Sequence, residues 1–295
     1  MLSTMLSTNE YLNILETCKI KGHDDAIIRA LRYIDLGYPI LLYGPPGNGK
    51  TTIAEHILTS LGGGKDTFYE IEGTEGMSEY QIIGGFHPLS MSGSSDLSER
   101  FVYKHGIVTR AILDKKNLLI DEFTRAPSSA YSGLFLLLSL GTLPLEYRET
   151  TLTKPDNWVL ITTANFGDEG TYRLSNALKR RFVPIDIGYP SSATERSLLA
   201  TITPDLDERV VAAALKFAEE TRAIWKKDRG LPQGLSTDGL IRMARYCELS
   251  IAQGSDRVSA FMDAAFHQGA IIADETDPHS LHRVQELVIA IGDQV

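Results

Sequence analysis

Gly44-Pro45-Pro46-Gly47-Asn48-Gly49-Lys50-Thr51 is the stretch that decides how the chain reads. It fits G-x-x-x-x-G-K-[ST], the phosphate-binding loop. Each residue type serves that chemistry. Glycines let the backbone curl until N–H groups converge on phosphate oxygens. Lys50 can reach the β- and γ-phosphates, and the Thr51 hydroxyl can ligate Mg²⁺. A helix starting at Thr51 and Thr52 would turn its positive end to the same anion.

The flanks agree with this. Pro39–Tyr43 is a short apolar run, as expected of a buried parallel strand. Ile53, Ala54, Ile57, Leu58 and Leu61 form a helical stripe, which Gly62–Gly64 stops. Upstream, Tyr11–Gly37 reads as helical, with Asp24 or Asp25 a candidate N-cap for its second helix.

Downstream, Thr67–Ile71 reads as a second strand. Glu72–Ser98 is rich in Gly, Ser and Met and reads as a long, weakly structured insertion. Ile107–Leu113 is a short helix. Leu118–Ile120 is a buried strand that ends in Asp121 and Glu122, and ligands bind beside the carboxyl ends of strands in an open α/β sheet. Asp121 can hold Mg²⁺ through water, and Glu122 can polarise an attacking water as general base. Ser128–Leu140 reads as an apolar helix, and Thr142–Thr153 alternates like a hairpin with a turn at Pro155–Asn157. Trp158–Asn165 is another buried strand, whose terminal Asn165 can orient the water. Asn176–Phe182 is a short basic helix with Arg180 and Arg181, leading to a strand at Val183–Ile187. Either arginine, supplied across a subunit boundary, could neutralise charge on a transferring phosphoryl group.

Gly188–Pro190 reads as the domain boundary. Ser192 and Glu195 have capping-box spacing. From there to Val295 the pattern is helices, one of them capped by Ser236 or Thr237. The expected fold is therefore α/β, with an αβα core over a parallel sheet at 1–190 and a small all-α lid domain at 191–295. The core carries the insertion at about 72–98 and the hairpin at about 142–157.

Composition narrows the classes of function. The chain has 295 residues, 43% hydrophobic and 23% charged, which suits an ordinary globular protein with a sizeable core. With 29 basic and 38 acidic residues the net charge is −9, which argues against a non-specific nucleic-acid coat. Cys18 and Cys247 stand far apart with no metal-ligand spacing, as in a reduced cytoplasmic protein with buried thiols. His279 and His282 could share a helix face, but a metal site there is not expected. No run is long enough for a membrane span and no signal peptide is legible. Met-Leu-Ser-Thr occurs twice at the start; an alternative start or a remnant of cloning explains that as well as any function.

The order of these motifs resembles an AAA+ ATPase. Within that superfamily the chain is similar to the MoxR family, in the flavour of its NorQ/CbbQ branch. The match rests on Gly44–Thr51, on His105–Ala111 leading into Leu118–Pro127, and on Thr163–Asn165, Ala177–Phe182 and Gly234–Thr237. The insertion and the hairpin resemble the extra elements of the helix-2-insert group. The resemblance implies a homo-hexameric ring that binds ATP and Mg²⁺ between subunits. Lys50, Thr51, Asp121 and Glu122 would act in cis, and Arg180 or Arg181 would come from the neighbour. It also implies a chaperone-like role, remodelling or activating a client, often one with a von Willebrand factor A domain. One position departs from the family pattern. The sensor 2 arginine after Gly-x-Ser-[TP] is replaced by Asp238, with Arg242 one turn further on as a candidate substitute. The rival readings are an ATP-gated scaffold with little hydrolysis and a McrB-like nucleic-acid translocase.

Overall fold

In the computed structural model the chain is described over residues 6–88, 101–145, 150–165, 171–172, 176, 180–227, 230–274 and 276–295. It divides into two compact units: the residues up to Gly44 with Gly49–Ile187, and Pro45–Asn48 with Gly188–Val295.

The first unit opens with α1 (Thr8–Thr17) and α2 (Asp24–Asp35). Neither Asp24 nor Asp25 caps α2. The cap position is His23, whose side chain makes no capping hydrogen bond, and the two aspartates lie in the first turn, where they face the helix dipole favourably. Then come β1 (Ile40–Tyr43), α3 (Lys50–Gly62) and β2 (Phe68–Glu72). Gly63 ends α3 in the left-handed conformation that a glycine adopts without steric cost.

The stretch read as a loose insertion is partly ordered. It contains α4 (Glu79–Ile82) and β3 (Gly84–Pro88), and β3 pairs antiparallel with β4 (Phe101–His105). Ser78 caps α4 by a capping box with Gln81, a local signal that the Gly/Ser-rich composition masks. Residues 89–98 of the insertion lie outside the described residues.

Next are α5 (Ile107–Leu113), β5 (Asn117–Asp121) and α6 (Ser132–Leu140). The expected helix from Ser128 begins as a 3₁₀ turn, Ser128–Tyr131. β6 (Thr142–Leu145) and β7 (Thr150–Thr153) pair antiparallel. β8 (Leu160–Ala164) and β9 (Val183–Asp186) complete the main sheet. Residues 177–179 of the expected basic helix lie outside the described residues.

The main sheet has the order β2-β5-β8-β1-β9 and is parallel throughout. Its central strands, β1, β5 and β8, are buried on both faces. Leu41, Leu118, Ile120 and Leu160 pack on the side of α5 and α6. Ile40, Leu42, Leu119 and Ile161 alternate to the side of α2 and α3. This is an αβα sandwich. β8 lies between β1 and β5, so the strands ending in the phosphate loop, in Asn165 and in Asp121-Glu122 are neighbours with their carboxyl ends level.

The second unit is helical: α7 (Ser192–Ile202), α8 (Glu208–Lys227), α9 (Thr237–Ala252), α10 (Arg257–Ile272) and α11 (Pro278–Gly292), around Val210, Phe217, Leu240, Phe261, Val284 and Val288. The capping-box reading of Glu195 does not hold. Ser191 caps α7 by accepting from the Thr194 N–H. Glu195 is 1% exposed and accepts from both terminal nitrogens of Arg222, at 2.7 and 2.8 Å. Arg222 Nε also donates to the Leu235 carbonyl at 2.8 Å, and its guanidinium lies 4.1 Å from the Tyr189 ring centroid. Thr237 Oγ1 donates to Glu195 at 2.7 Å. Ser236 caps α9 through the Gly239 N–H. The Gly234–Thr237 segment is thus fastened by a buried and satisfied ionic cluster.

Candidate functional site

Gly44, Gly47 and Gly49 all have positive φ, at 150°, 71° and 81°. Gly44 cannot be replaced without moving backbone, since a Cβ there would lie 2.2 Å from the Ile187 carbonyl oxygen. Gly49 sits at the N-cap of α3 without any side-chain cap, so the first N–H groups of that helix remain for a ligand. Lys50 is 6% exposed and its ammonium donates to the Gly44 carbonyl at 3.1 Å. Asn48 is 3% exposed, and neither polar atom of its side chain has a hydrogen-bond partner. A buried, unsatisfied amide is costly. In a loop that also buries an ammonium and aims a helix N-terminus, it fits an anionic, hydrogen-bonding ligand. Pro45 and Pro46 stiffen the entry to the loop. Thr52 is exposed.

The sheet brings the other residues together. Thr51 Oγ1 donates to Asp121 Oδ1 at 2.8 Å, bridging α3 to the end of β5. A hydroxyl and a carboxylate in contact form the oxygen donor set that Mg²⁺ prefers. Negative charge is concentrated here: burial, followed by the charges of Glu55, Asp121 and Glu72, raises the Glu70 carboxyl above its ordinary value. Glu122 lies beside Asn165, whose Nδ2 donates to Glu122 Oε1 at 2.8 Å.

Glu122 itself is strained, at φ 48° and ψ 42°, a left-handed conformation rare for a residue with a side chain. Two residues to which the sequence reading gave no role lie against it. Thr163 Oγ1 accepts the Glu122 N–H at 3.0 Å and donates to Asp121, so one hydroxyl orients both acids. Gly73 donates to the Asp121 carbonyl at 2.8 Å, and a Cβ on it would come within 2.4 Å of the Glu122 carbonyl oxygen. Signals for both were present: a hydroxyl at the end of a fully buried strand, and a glycine directly after another.

The arginines part company. Phe182, beside them, is buried against Phe123 with ring centroids 5.3 Å apart. Arg181 Nε donates to Ser139 Oγ on α6 at 2.7 Å, whereas Arg180 is exposed. Arg242, in the second unit, forms an ion pair with Asp238 one turn back on α9.

A phosphate loop opening α3, an Asp-Glu pair closing the strand two places along the sheet, and an asparagine closing the strand between them define the site of a P-loop ATPase. Comparison with known proteins agrees. The AAA domain of the dynein-related subfamily matches residues 39–182. Protein NorQ of Paracoccus denitrificans is 25% identical over 274 residues, covering 92% of each chain. The gas vesicle ATPase GvpN of Ancylobacter aquaticus is 26% identical over 194 residues, 61% of this chain and 53% of that protein, so the chain spans about half of its length. Among solved structures, a point mutant of Thermotoga maritima RuvB aligns with a TM-score of 0.52 at 15% identity, over 85% of this chain and 71% of that one, and shares the fold. Residues 39–182 are an AAA+ ATPase domain, and the chain is similar to relatives of the MoxR type. Among the described residues no helix is long and apolar enough to cross a membrane.

Proposed function

We propose that the protein hydrolyses ATP with Mg²⁺ in a homo-hexameric ring and uses the cycle to remodel or activate a client protein, in the manner expected of MoxR-type proteins. The observation that carries the chemistry is the contact of Thr51, Asp121, Thr163, Glu122 and Asn165 beside a phosphate loop. Lys50 and the α3 N-terminus would bind the phosphates. Thr51 and Asp121 would hold Mg²⁺, which when bound supplies charge neutralisation. Glu122 would take a proton from the attacking water, and Asn165 would keep the Glu122 carboxylate oriented. The water oxygen bonds to the γ-phosphorus as the bond to the β-γ bridging oxygen breaks, releasing ADP and phosphate. We assign the arginine supplied to a neighbouring subunit to Arg180, since it is exposed while Arg181 is held by Ser139.

The test is steady-state hydrolysis against protein concentration, with mass measured in parallel. Specific activity is expected to climb as rings form, and Arg180→Ala to abolish that climb. Glu122→Gln should bind ATP while losing on the order of 10²- to 10⁴-fold in turnover, the usual contribution of a general base. Full turnover in that variant would remove Glu122 from its role. A second reading, the ATP-gated scaffold, draws on the Asp238–Arg242 pair, which engages the candidate sensor 2 substitute within its own helix. Tight ATP binding and ATP-driven assembly without turnover would favour it. A salt-dependent affinity for DNA would favour the translocase reading instead.

A further inference from the structure

Asn48 has no part in the chemistry above, although it lies within the phosphate loop. Its side chain is buried, and neither Oδ1 nor Nδ2 has a hydrogen-bond partner within the protein. Its chain neighbours are Gly47 and Gly49, which have no side chains to offer it. Asn117 shows the ordinary outcome in this fold: its Oδ1 accepts the Val159 N–H at 2.9 Å.

Packing does not explain an amide in this position. A leucine has nearly the same branched shape and would bring no unsatisfied polar atoms. Buried polar groups are normally paired, so one that is not asks for a partner from outside the chain. The surroundings define the chemistry of that partner. The loop buries the Lys50 ammonium and leaves the N-terminus of α3 without a side-chain cap, which favours an anion. A side-chain amide has two N–H donors, and a donor facing an anionic oxygen makes a strong, directional bond.

We propose that the Asn48 side chain is a nucleotide-binding group in its own right, donating from Nδ2 to a phosphate oxygen. This rests on the loop binding a nucleotide. The protein without nucleotide is then destabilised by its own Asn48. Removing the amide therefore acts with opposite sign on stability and on binding. A residue that only supports the loop would lose both together.

The experiment uses the full chain and its Asn48→Leu, Asn48→Ala and Asn48→Asp variants. Thermal unfolding is measured without nucleotide, and affinity is measured for Mg²⁺-ADP and for a fluorescent ATP analogue. Asn48→Leu should unfold about 2–4 °C above the parent. Asn48→Leu and Asn48→Ala should both bind nucleotide roughly 10- to 100-fold more weakly, the size of a hydrogen bond to a charged group. Asn48→Asp, with the same shape and a negative charge, should bind most weakly. Asn48→Ala decides the affinity question if the leucine is too large for the chain to fold. If the parent binds neither probe, the nucleotide reading fails and the role of Asn48 fails with it. If the parent binds and the leucine and alanine variants bind as tightly, Asn48 alone is overturned. Unfolding temperatures that fall in both of those variants also overturn it, because the amide then has its partners within the protein. Asn48→Asp binding as well as Asn48→Leu overturns the contact with phosphate.

Discussion

The molecule contains two arginine–glutamate pairs of similar chemistry and opposite design. In the helical unit, Arg222 and Glu195 are 8% and 1% exposed at the side chain and meet through two short bonds. In the αβα unit, Arg125 and Glu122 are 45% and 21% exposed and meet through one longer contact. The first pair spends its remaining hydrogen-bonding capacity on Leu235 and Thr237, with an aromatic face against the guanidinium. The second lies next to the residues read as catalytic, on an acid kept in strained backbone. Burial and complete satisfaction make a charge pair a fastener; solvation leaves it free to rearrange.

The widest separation between the pairs should appear on truncation. Arg222→Ala strands a buried carboxylate and is expected to destabilise the chain by about 3–5 kcal/mol, measured by urea or thermal unfolding. The double change Glu195→Leu with Arg222→Met should recover most of that loss, since an apolar pair of similar volume carries no desolvation penalty. If the double variant is no better than Arg222→Ala, the cost lies in the Leu235 and Thr237 bonds and not in the stranded charge.

Gly234 tests the fastener from the backbone side. A Cβ there would lie 2.7 Å from the Arg222 Cα, an atom that cannot move without shifting α8. Gly234→Ala should cost about 1–3 kcal/mol, the range for overpacking a filled interior. A neutral outcome would mean the Gly234–Thr237 segment is looser than the cluster around it suggests.

The same unit should respond to alkali. Burial pushes the Cys247 thiol from an ordinary value of 9.0 up to about 12. The fold keeps the proton that the unfolded chain surrenders. The thiol's contribution to stability is therefore complete below pH 9.0 and lost as pH rises toward about 12. Cys247→Ala should flatten the decline of unfolding free energy across that window. Tyr189, raised by burial from 10.0 to about 12, will leave a residual slope.

What the sequence disclosed and what it hid follow the same physics. The phosphate loop, Asp121, Glu122 and Asn165 were legible because phosphate chemistry dictates residue types at fixed spacing beside strand ends. The sandwich followed from apolar runs that alternate with helical stripes. Thr163 and Gly73 were given no role, because their work is done on residues 41 and more positions away, reached only when β8 and β2 flank β5. Glu195 was misassigned because a local rule, the capping box, matched its spacing while a distant arginine claimed it. The trace of that arginine in the sequence is its place one turn after Ala218 on the buried stripe of α8. Arg180 and Arg181 look alike in sequence, and only the fold separates a side chain tied to α6 from an exposed one.

The smallest expected effect is the most discriminating. Arg125→Ala removes a charge pair of the same two residue types as Arg222→Ala, yet the unfolding free energy should change by no more than about 1 kcal/mol. Glu122 Oε2 is buried beneath the half-exposed arginine, and removing that side chain uncovers it to water while the Asn165 amide still meets Oε1 at 2.8 Å, so no charge is left stranded. The strain at Glu122 should also survive, because Thr163 and Gly73 impose it. A loss of about 3 kcal/mol or more would place Arg125 with Arg222 among the fasteners, since surface pairs do not reach that size. A small loss, beside the large one in the helical unit, would show that one fold uses the same ion pair in two ways according to how much water each retains.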